Sequence, residues 1–158
     1  MMRKKANILI TGTGGRSVGA GILHSLLRSS KDVTDRWNIV TADANQFAWG
    51  LYVNNESTLL PLARDPDYLD KLFDIINKYE INAVIPGTQP EVDFLTKCDK
   101  SMPNNAVLVC NKKELVPIMM DKSNLKNILK DLDLPFIQTV PLENWEYLVK
   151  ETGFPLII

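Results

Sequence analysis

A glycine-rich turn between two apolar runs is the feature that most constrains the fold of this chain. The turn spans residues 11–21 and reads Thr-Gly-Thr-Gly-Gly-Arg-Ser-Val-Gly-Ala-Gly. The run before it, residues 8–10, is typical of a strand buried on both faces, and apolar positions within 22–27 form one stripe of a helix. Such a turn directs backbone N–H groups and the positive end of a helix dipole towards an anion. It therefore predicts an anion-binding site, whose ligand the rest of the chain must indicate.

Apolar runs and amphipathic stretches alternate along residues 1–110. Five runs have the length and composition of buried strands: 7–11, 37–42, 57–61, 82–86 and 106–110. Helices are predicted to start near residues 17, 65 and 90, and a short helix over 47–52 is expected to lie on the sheet. The short spacing favours parallel strands joined by right-handed crossovers. We therefore predict an α/β fold with a Rossmann-like, doubly wound parallel sheet of about five strands.

The sequence changes character after the fifth predicted strand. Helices are predicted over 111–120, 121–132 and 143–152, and an apolar strand over 154–158. Pro117 is expected to kink or break the first of these helices. A strand without a following partner is an unusual place for a domain to end, so we expect these residues to begin a second domain.

Three loops of the predicted sheet follow the carboxyl ends of strands. Ligands of open parallel sheets bind outside these strand ends, so residues 12–17, 43–46 and 87–91 are expected to converge on one site. The candidate substrate-binding residues in these loops are Gly12, Gly14, Gly15, Arg16, Ser17, Asp43, Thr88 and Glu91. Both acids have a purely structural alternative, because Asp43 can cap a turn and Glu91 favours a helix dipole without any ligand.

The glycine turn leaves three interpretations open: a dinucleotide site, a site for another anion, or a tight turn without a ligand. A dinucleotide fingerprint needs the pattern G-x-G-x-x-G, whose third glycine packs the helix against the strand. Gly12 and Gly14 match, but Ser17 occupies the third position and the next glycine is Gly19. Asp43, at the end of the second predicted strand, is a candidate ribose-binding acid. A P-loop is excluded, because no Gly-Lys-Ser/Thr follows the turn.

Composition argues against several other classes of function. Lys and Arg number 18 against 19 Asp and Glu, and without a basic stripe the chain is not expected to bind nucleic acid. No apolar stretch approaches the roughly 18 residues that cross a membrane. Cys98 and Cys110 are typical of reduced thiols in a cytoplasmic protein, and the single histidine, His24, argues against a His-based triad.

The order of these motifs resembles the front part of an ATP-grasp enzyme and is most similar to the carbamoyl-phosphate synthase large-subunit group. The resemblance rests on the glycine turn with its preceding strand, on Val-Thr-Ala-Asp-Ala-Asn at 40–45, and on Val-Ile-Pro-Gly-Thr-Gln-Pro-Glu at 84–91. It continues through residues 121–139 and ends with Phe-Pro-Leu-Ile-Ile at 154–158. In that family a lysine that holds ATP normally follows this last strand.

The resemblance implies two parts with different tasks. Residues 1–115 correspond to a pre-ATP-grasp domain, and residues 116–158 to the beginning of the ATP-grasp domain, an α+β subdomain. Family members use ATP and Mg2+ to convert a carboxylate into an acyl phosphate, which an amine or another nucleophile then attacks. Lys122 matches the first basic residue that contacts the ATP phosphates, and the loop candidates match the rim that faces the substrate. The implied partners are a small-molecule carboxylate, an amine and the remainder of the ATP-grasp domain.

The resemblance places the Mg2+ ligands, a second ATP lysine and a glycine-rich lid beyond Ile158. It therefore implies no catalytic residue and no metal ligand within these 158 residues, and we expect the chain alone to be inactive as a ligase. The alternatives are an NAD(P)-binding oxidoreductase domain and a non-catalytic binding module. The apolar segment 47–52 is a candidate interface of a homodimer.

Overall fold

The computed structural model describes residues 5–31 and 35–154, with the side chains of residues 122–124 left out of the description. The chain forms two compact units, Met1–Asn111 and Lys112–Ile158. The first unit holds the predicted sheet, and the described part of the second consists of helices and irregular segments. The interpretation of the second unit as the start of an ATP-grasp domain stays a prediction. The strand predicted at 154–158 lies, from residue 155 onwards, outside the described residues.

Five parallel strands form one sheet in the first unit. They are β1 (Ala6–Thr11), β2 (Trp37–Asp43), β3 (Glu56–Leu59), β4 (Ala83–Ile85) and β5 (Val107–Leu108). Their order in the sheet is β3-β2-β1-β4-β5, so the chain builds outwards from β1 on one side and then returns to build on the other. This reversal makes the carboxyl ends of β1 and β4 a topological switch point, where ligands of such sheets bind. The predicted Rossmann-like α/β fold is confirmed.

Helices connect most of the strands and make up much of the second unit. In the first unit they are α1 (Val18–Leu27), α2 (Tyr68–Lys78) and α3 (Gln89–Lys97). In the second they are α4 (Val116–Met120), α5 (Lys122–Asp131) and α6 (Trp145–Thr152). Single 3-10 turns lie at Trp49–Leu51, Pro103–Asn105 and Leu142–Asn144.

The core of the first unit covers both faces of the sheet. Leu9 and Ile10 are neighbours in β1 and are both 0% exposed. Because successive side chains of a strand point to opposite faces, this burial shows that each face is covered. Helix α2 contributes Leu72 and Ile76, which are also fully buried. Burying a side chain of this size contributes about 1.5–3 kcal/mol, so the two covered faces are the main source of stability.

The two edge strands of the sheet differ most from their predicted bounds, and the other three differ by a single residue at one or both ends. The sequence predicts residues 106–110 for β5, whereas only Val107–Leu108 pair with β4. Strand β3 covers Glu56–Leu59 instead of 57–61. Val107 and Leu59 are 61% and 56% exposed, as expected of strands with one neighbour. Short edge strands also limit pairing with other chains.

The prediction of a helix over residues 47–52 is wrong. The structure has one 3-10 turn, Trp49–Leu51, and Phe47 and Tyr52 are 75% and 72% exposed, so they do not pack on the sheet. Gly50 is the buried residue of this turn and lies so close to Thr13 that a Cβ would overlap the threonine side chain. The small residue, not the aromatic ones, therefore sets the packing of this segment.

The prediction that Pro117 kinks or breaks a helix is also wrong, because this proline lies where a helix starts. Helix α4 begins at Val116, which places the proline in the first turn. The N–H that proline lacks has no intrahelical partner at that position, so its absence costs nothing.

Helix α2 begins at Tyr68 and not near Asp65, as the sequence predicts. The Asp65 carboxylate instead accepts the Leu62 N–H at 2.9 Å.

Two buried threonines beside Gly50 predict opposite effects of one substitution. The Thr41 hydroxyl donates to the Gly50 carbonyl oxygen at 2.9 Å, whereas the Thr13 hydroxyl has no partner among the described residues. We expect Thr41→Val to lower the free energy of unfolding by about 1–2 kcal/mol, and Thr13→Val to raise it by about 1 kcal/mol. Urea denaturation followed by circular dichroism measures both. Shifts of the same sign in the two variants would contradict the assignment of the partnerless hydroxyl.

Candidate functional site

The glycine turn takes its shape from two left-handed residues and a serine cap. Gly12 and Gly15 have φ values of +57° and +59°, a region that glycine enters without steric cost. The Ser17 Oγ accepts the Ala20 N–H at 3.1 Å and donates to the Gly12 carbonyl oxygen. Ser17 is thus the N-cap of α1, as predicted. A glycine at this third fingerprint position would lack the hydroxyl that closes the turn.

A second pair of glycines allows α1 and the loop after β4 to approach the end of β1. The Gly19 N–H donates to the Gly87 carbonyl oxygen at 3.3 Å, and the Gly87 N–H donates to the Thr11 Oγ1 at 3.2 Å. A Cβ on either glycine would overlap the Thr11 carbonyl oxygen. Gly19 therefore has the close-packing role that the dinucleotide fingerprint gives to its third glycine. The pairing with Gly87 joins the loops after β1 and β4 through their backbones.

Asp43 connects the glycine turn to the end of β2. Its Oδ2 accepts the Gly14 N–H at 2.8 Å, and its Oδ1 accepts the Asn45 N–H at 2.8 Å. A Cβ on Gly14 would lie 3.2 Å from that Oδ2, so the contact leaves little room for a side chain. Both carboxylate oxygens already accept a backbone amide, which is the arrangement expected of a turn cap.

Glu91 is buried beneath the rim of the third loop. It is 6% exposed; its Oε2 accepts the Thr88 hydroxyl at 2.8 Å and its Oε1 accepts the Tyr68 hydroxyl at 3.1 Å. Tyr68 is 0% exposed and packs edge-on against Phe94. Burial, and secondarily the Glu91 charge, raises the pKa of Tyr68 far above its ordinary value. The tyrosine therefore stays a neutral donor that helps hold the 87–91 loop in place.

The three loops enclose a cleft of about 570 Å3 at the carboxyl ends of β1, β2 and β4. This volume lies within the range of small-molecule sites. The candidates that line it are Gly12, Gly14, Gly15, Ser17, Asp43, Thr88 and Glu91. The structure thus brings together nearly all of the residues that the sequence singles out.

A fourth segment, residues 60–64, forms a wall of the cleft that the sequence did not indicate. It follows β3, and the Leu60 N–H donates to the Asp43 carbonyl oxygen at 3.1 Å, which fixes the segment beside the end of β2. It contributes four apolar residues and Arg64. Its position in the sequence could have indicated this role, because the segment follows the carboxyl end of a parallel strand, as the other three loops do.

The glycine turn offers fewer amides to a ligand than its composition suggests. The N–H groups of Gly14, Gly19 and Ala20 already donate within the unit. Among the acceptors in the described part of the chain, none receives the N–H of Gly15 or Arg16. The amides of Gly15 and Arg16 are therefore available to an anion.

Arg16 is the loop candidate that does not line the cleft. It is exposed and borders a separate depression of about 400 Å3 together with His24 and Trp49. The rings of His24 and Trp49 lie 6.2 Å apart between centroids. Lys122 begins α5 in the second unit, and its side chain lies outside the described residues. The roles of both residues stay predictions.

The sheet with a cleft at its switch point defines a Rossmann-like domain of the kind that precedes the ATP-grasp fold. The family described as PylC-like, N-terminal domain matches residues 8–109. The chain therefore belongs to the PylC-like N-terminal domain family. Comparison with curated protein sequences gave no match.

Solved structures of ATP-grasp enzymes share the fold. N5-carboxyaminoimidazole ribonucleotide synthetase from Thermotoga maritima has a TM-score of 0.58 and 18% identity over 95% of this chain and 37% of that chain. N5-carboxyaminoimidazole synthetase from Staphylococcus aureus, complexed with ADP, gives 0.56 and 15% over 98% and 38%. The biotin carboxylase domain of Hydrogenobacter thermophilus 2-oxoglutarate carboxylase, with MgADP and bicarbonate, gives 0.54 and 18% over 98% and 34%.

These comparisons confirm the resemblance to the ATP-grasp superfamily. At such identities the structural likeness shows the fold and not the substrate. The chain spans about a third of the length of these solved structures, 34–38%. Within the described residues, no helix is long and apolar enough to cross a membrane.

Proposed function

We propose that the protein carrying this chain is an ATP-dependent carboxylate–amine ligase. In this proposal residues 1–115 bind the carboxylate and residues 116–158 begin the ATP-grasp domain. The observation that carries it is the cleft at the strand ends, found in a chain of the PylC-like family. The ADP or MgADP bound in two of the similar structures supports ATP and Mg2+ as cofactors of the full-length protein.

The proposed chemistry runs through an acyl phosphate, as in the carbamoyl-phosphate synthase group. The substrate carboxylate takes the terminal phosphoryl group of ATP, ADP leaves, and the amine then displaces phosphate from the acyl carbon. The free amide of Gly15 is suited to an anionic oxygen of the substrate or its phosphate, and Thr88 lies at the same cleft. Lys122 would neutralise charge on the transferring phosphates. The proposal assigns the Mg2+ ligands to the remainder of the ATP-grasp domain.

Release of ADP by the full-length protein that depends on an added carboxylic acid (acid-dependent ADP release) tests this proposal. With hydroxylamine as the nucleophile, an acyl phosphate yields a hydroxamate, and we expect hydroxamate and ADP in equal amounts. Lys122→Ala is expected to slow ADP release roughly tenfold or more, because it removes a phosphate-neutralising charge. Lys130→Ala, on the exposed surface of the same helix, is the matched control and should leave the rate unchanged.

Two further outcomes would redirect the proposal. ATP hydrolysis by the 158-residue chain alone, abolished by Lys122→Ala, would contradict the expectation that the chain alone is inactive. Micromolar binding of NADH or NADPH that weakens on Asp43→Ala would favour the oxidoreductase alternative. In the structure each Asp43 carboxylate oxygen accepts one backbone N–H, so the geometry gives Asp43 a turn-capping role that needs no ribose.

A further inference from the structure

We propose that Arg64 binds the acidic group of the ligand in the cleft, and that this ligand is a small acid with an apolar body. The inference rests on the proposed function, because it names the class of carboxylate that the site would accept. Two properties of the cleft carry it: the chemistry of its wall, and the charges that remain available to a ligand.

The wall of the cleft is mainly apolar. Residues 60–63 read Leu-Pro-Leu-Ala, and the loop after β2 adds Phe47 and Ala48. Phe47 and Leu62 are 75% and 46% exposed, so their side chains have apolar surface left to cover. Covering such surface with a ligand favours binding in proportion to the apolar area removed from water. A hydrocarbon or aromatic body gains this energy, whereas a fully hydroxylated body does not.

Arg64 is the available charge in the cleft. The ionisable side chains that line it are Asp43, Arg64 and Glu91. Every carboxylate oxygen of the two acids already accepts a hydrogen bond from the protein. Arg64 is exposed, and within the described part of the chain its side chain has no ion pair or hydrogen bond. Its guanidinium is therefore free to receive an anion.

The distribution of charge also fixes the orientation of the ligand. Asp43 and Glu91 repel a second anion, whereas a guanidinium offers two parallel N–H donors that match a carboxylate. An adjoining pocket of about 420 Å3 also includes Arg64 and contains Lys97. That ammonium is already paired with Asp93, at 2.7 Å. The acidic group therefore lies at Arg64, and the apolar body lies along residues 60–63.

Matched acids and amides test this inference on the full-length protein. The probes are hexanoate and 3-phenylpropionate, each compared with its primary amide, and binding is measured by ligand-detected NMR titration. We expect at least one acid to bind about tenfold or more tightly than its amide, since a charge-assisted pair is lost in the amide. Arg64→Met should weaken binding of that acid by a similar factor and leave binding of the amide unchanged. Arg64→Lys should retain part of the affinity for the acid.

Arg36→Met is the matched control. Arg36 is also exposed, but it precedes β2 at the opposite end of the sheet, and its loss should leave acid binding unchanged. Thermal melts of each variant check that the fold is intact, and Arg64→Gln replaces the methionine variant if that variant is unstable. Equal binding of acids and amides, acid binding that Arg64→Met does not alter, or no binding of either acid would overturn the inference. Displacement of the acid by equimolar inorganic phosphate would overturn the preference for a carboxylate.

The same samples separate this inference from the proposed function. Acid-dependent ADP release that is unchanged in Arg64→Met, without Arg64-dependent acid binding, overturns the inference and leaves the ligase standing. Arg64-dependent acid binding without any ADP release overturns the ligase and leaves the acid site standing.

Discussion

Gly19→Ala is expected to lower the free energy of unfolding of the first unit by roughly 3 kcal/mol. The added Cβ would overlap the carbonyl oxygens of Thr11 and Gly12, which are backbone atoms at the end of the central strand. They cannot retreat without disturbing the pairing of β1 with its neighbours or the hydrogen bond from Gly19 to Gly87. Urea denaturation followed by far-UV circular dichroism measures the loss.

Gly21→Ala is the matched control, because it makes the same chemical change in the same helix. No atom lies within 4 Å of the Cβ position at Gly21, which is exposed. The substitution should raise stability by about 0.5–1 kcal/mol through better helix propensity. The two variants therefore shift the denaturation midpoint in opposite directions. A Gly19 variant as stable as the wild type would refute the close approach of α1 to β1.

Tyr68→Phe is expected to lower the free energy of unfolding by about 1.5–3 kcal/mol at neutral pH. It removes the hydroxyl that donates to Glu91 at 3.1 Å and leaves that buried carboxylate with one donor fewer. The ring itself keeps its packing against Phe94. The loss therefore reports the hydrogen bond and not a cavity.

The free energy of unfolding at alkaline pH provides a second test of this variant. Burial raises the folded-state pKa of Tyr68 well above the ordinary value of about 10. Between the ordinary pKa of about 10 and the higher folded-state pKa, the unfolded tyrosine loses its proton while the folded one keeps it. The folded state then binds more protons than the unfolded state, so the free energy of unfolding falls as the pH rises. The Tyr68 contribution amounts to about 1.4 kcal/mol per pH unit. Tyr68→Phe lacks it, so the difference between wild type and variant should shrink as the pH rises above about 10.

Tyr52→Phe provides the control for the hydroxyl. Tyr52 is 72% exposed, and its hydroxyl donates to the Gln46 carbonyl oxygen. At neutral pH its loss should change the free energy of unfolding by less than about 0.5 kcal/mol. A Tyr68 variant that resembles this control, with a constant difference from wild type above pH 10, would contradict the buried pair.

The sequence was sufficient to predict the sheet and the convergence of the three loops. Both follow from local patterns and one rule of topology: buried parallel strands are apolar throughout, and their carboxyl ends meet at one edge. The Ser17 cap was also predictable, since an N-cap depends on residues within one turn of the helix.

The contacts between distant residues could not be predicted in this way. Gly87 meets Gly19, and Tyr68 meets Glu91, only because the fold brings their elements together. The sequence shows a glycine or an acid at these positions but not what lies opposite. The position of Arg16 at a separate depression, and not at the cleft, likewise depends on the turn's actual dihedral angles.

The wall at 60–64 was missed for a related reason. Its residues look like the end of a weak strand, and their local pattern does not distinguish a last strand residue from the loop after it. Pairing with β2 stops at Leu59, because Leu59 lies opposite Asp43, the last residue of β2. The residues beyond it are then free to turn over the cleft.

The cleft thus combines a fixed part with an exchangeable one. Its floor is held by the close approach of Gly19 and Gly87 to the end of β1, where a Cβ on either glycine would overlap the Thr11 carbonyl oxygen. The wall at 60–64 leaves an edge strand and presents side chains whose size and charge can change without moving that floor. Diversification of ligand choice within such a family, by natural drift or by grafting segments between members, is therefore expected to proceed through this wall while the glycine scaffold is inherited intact.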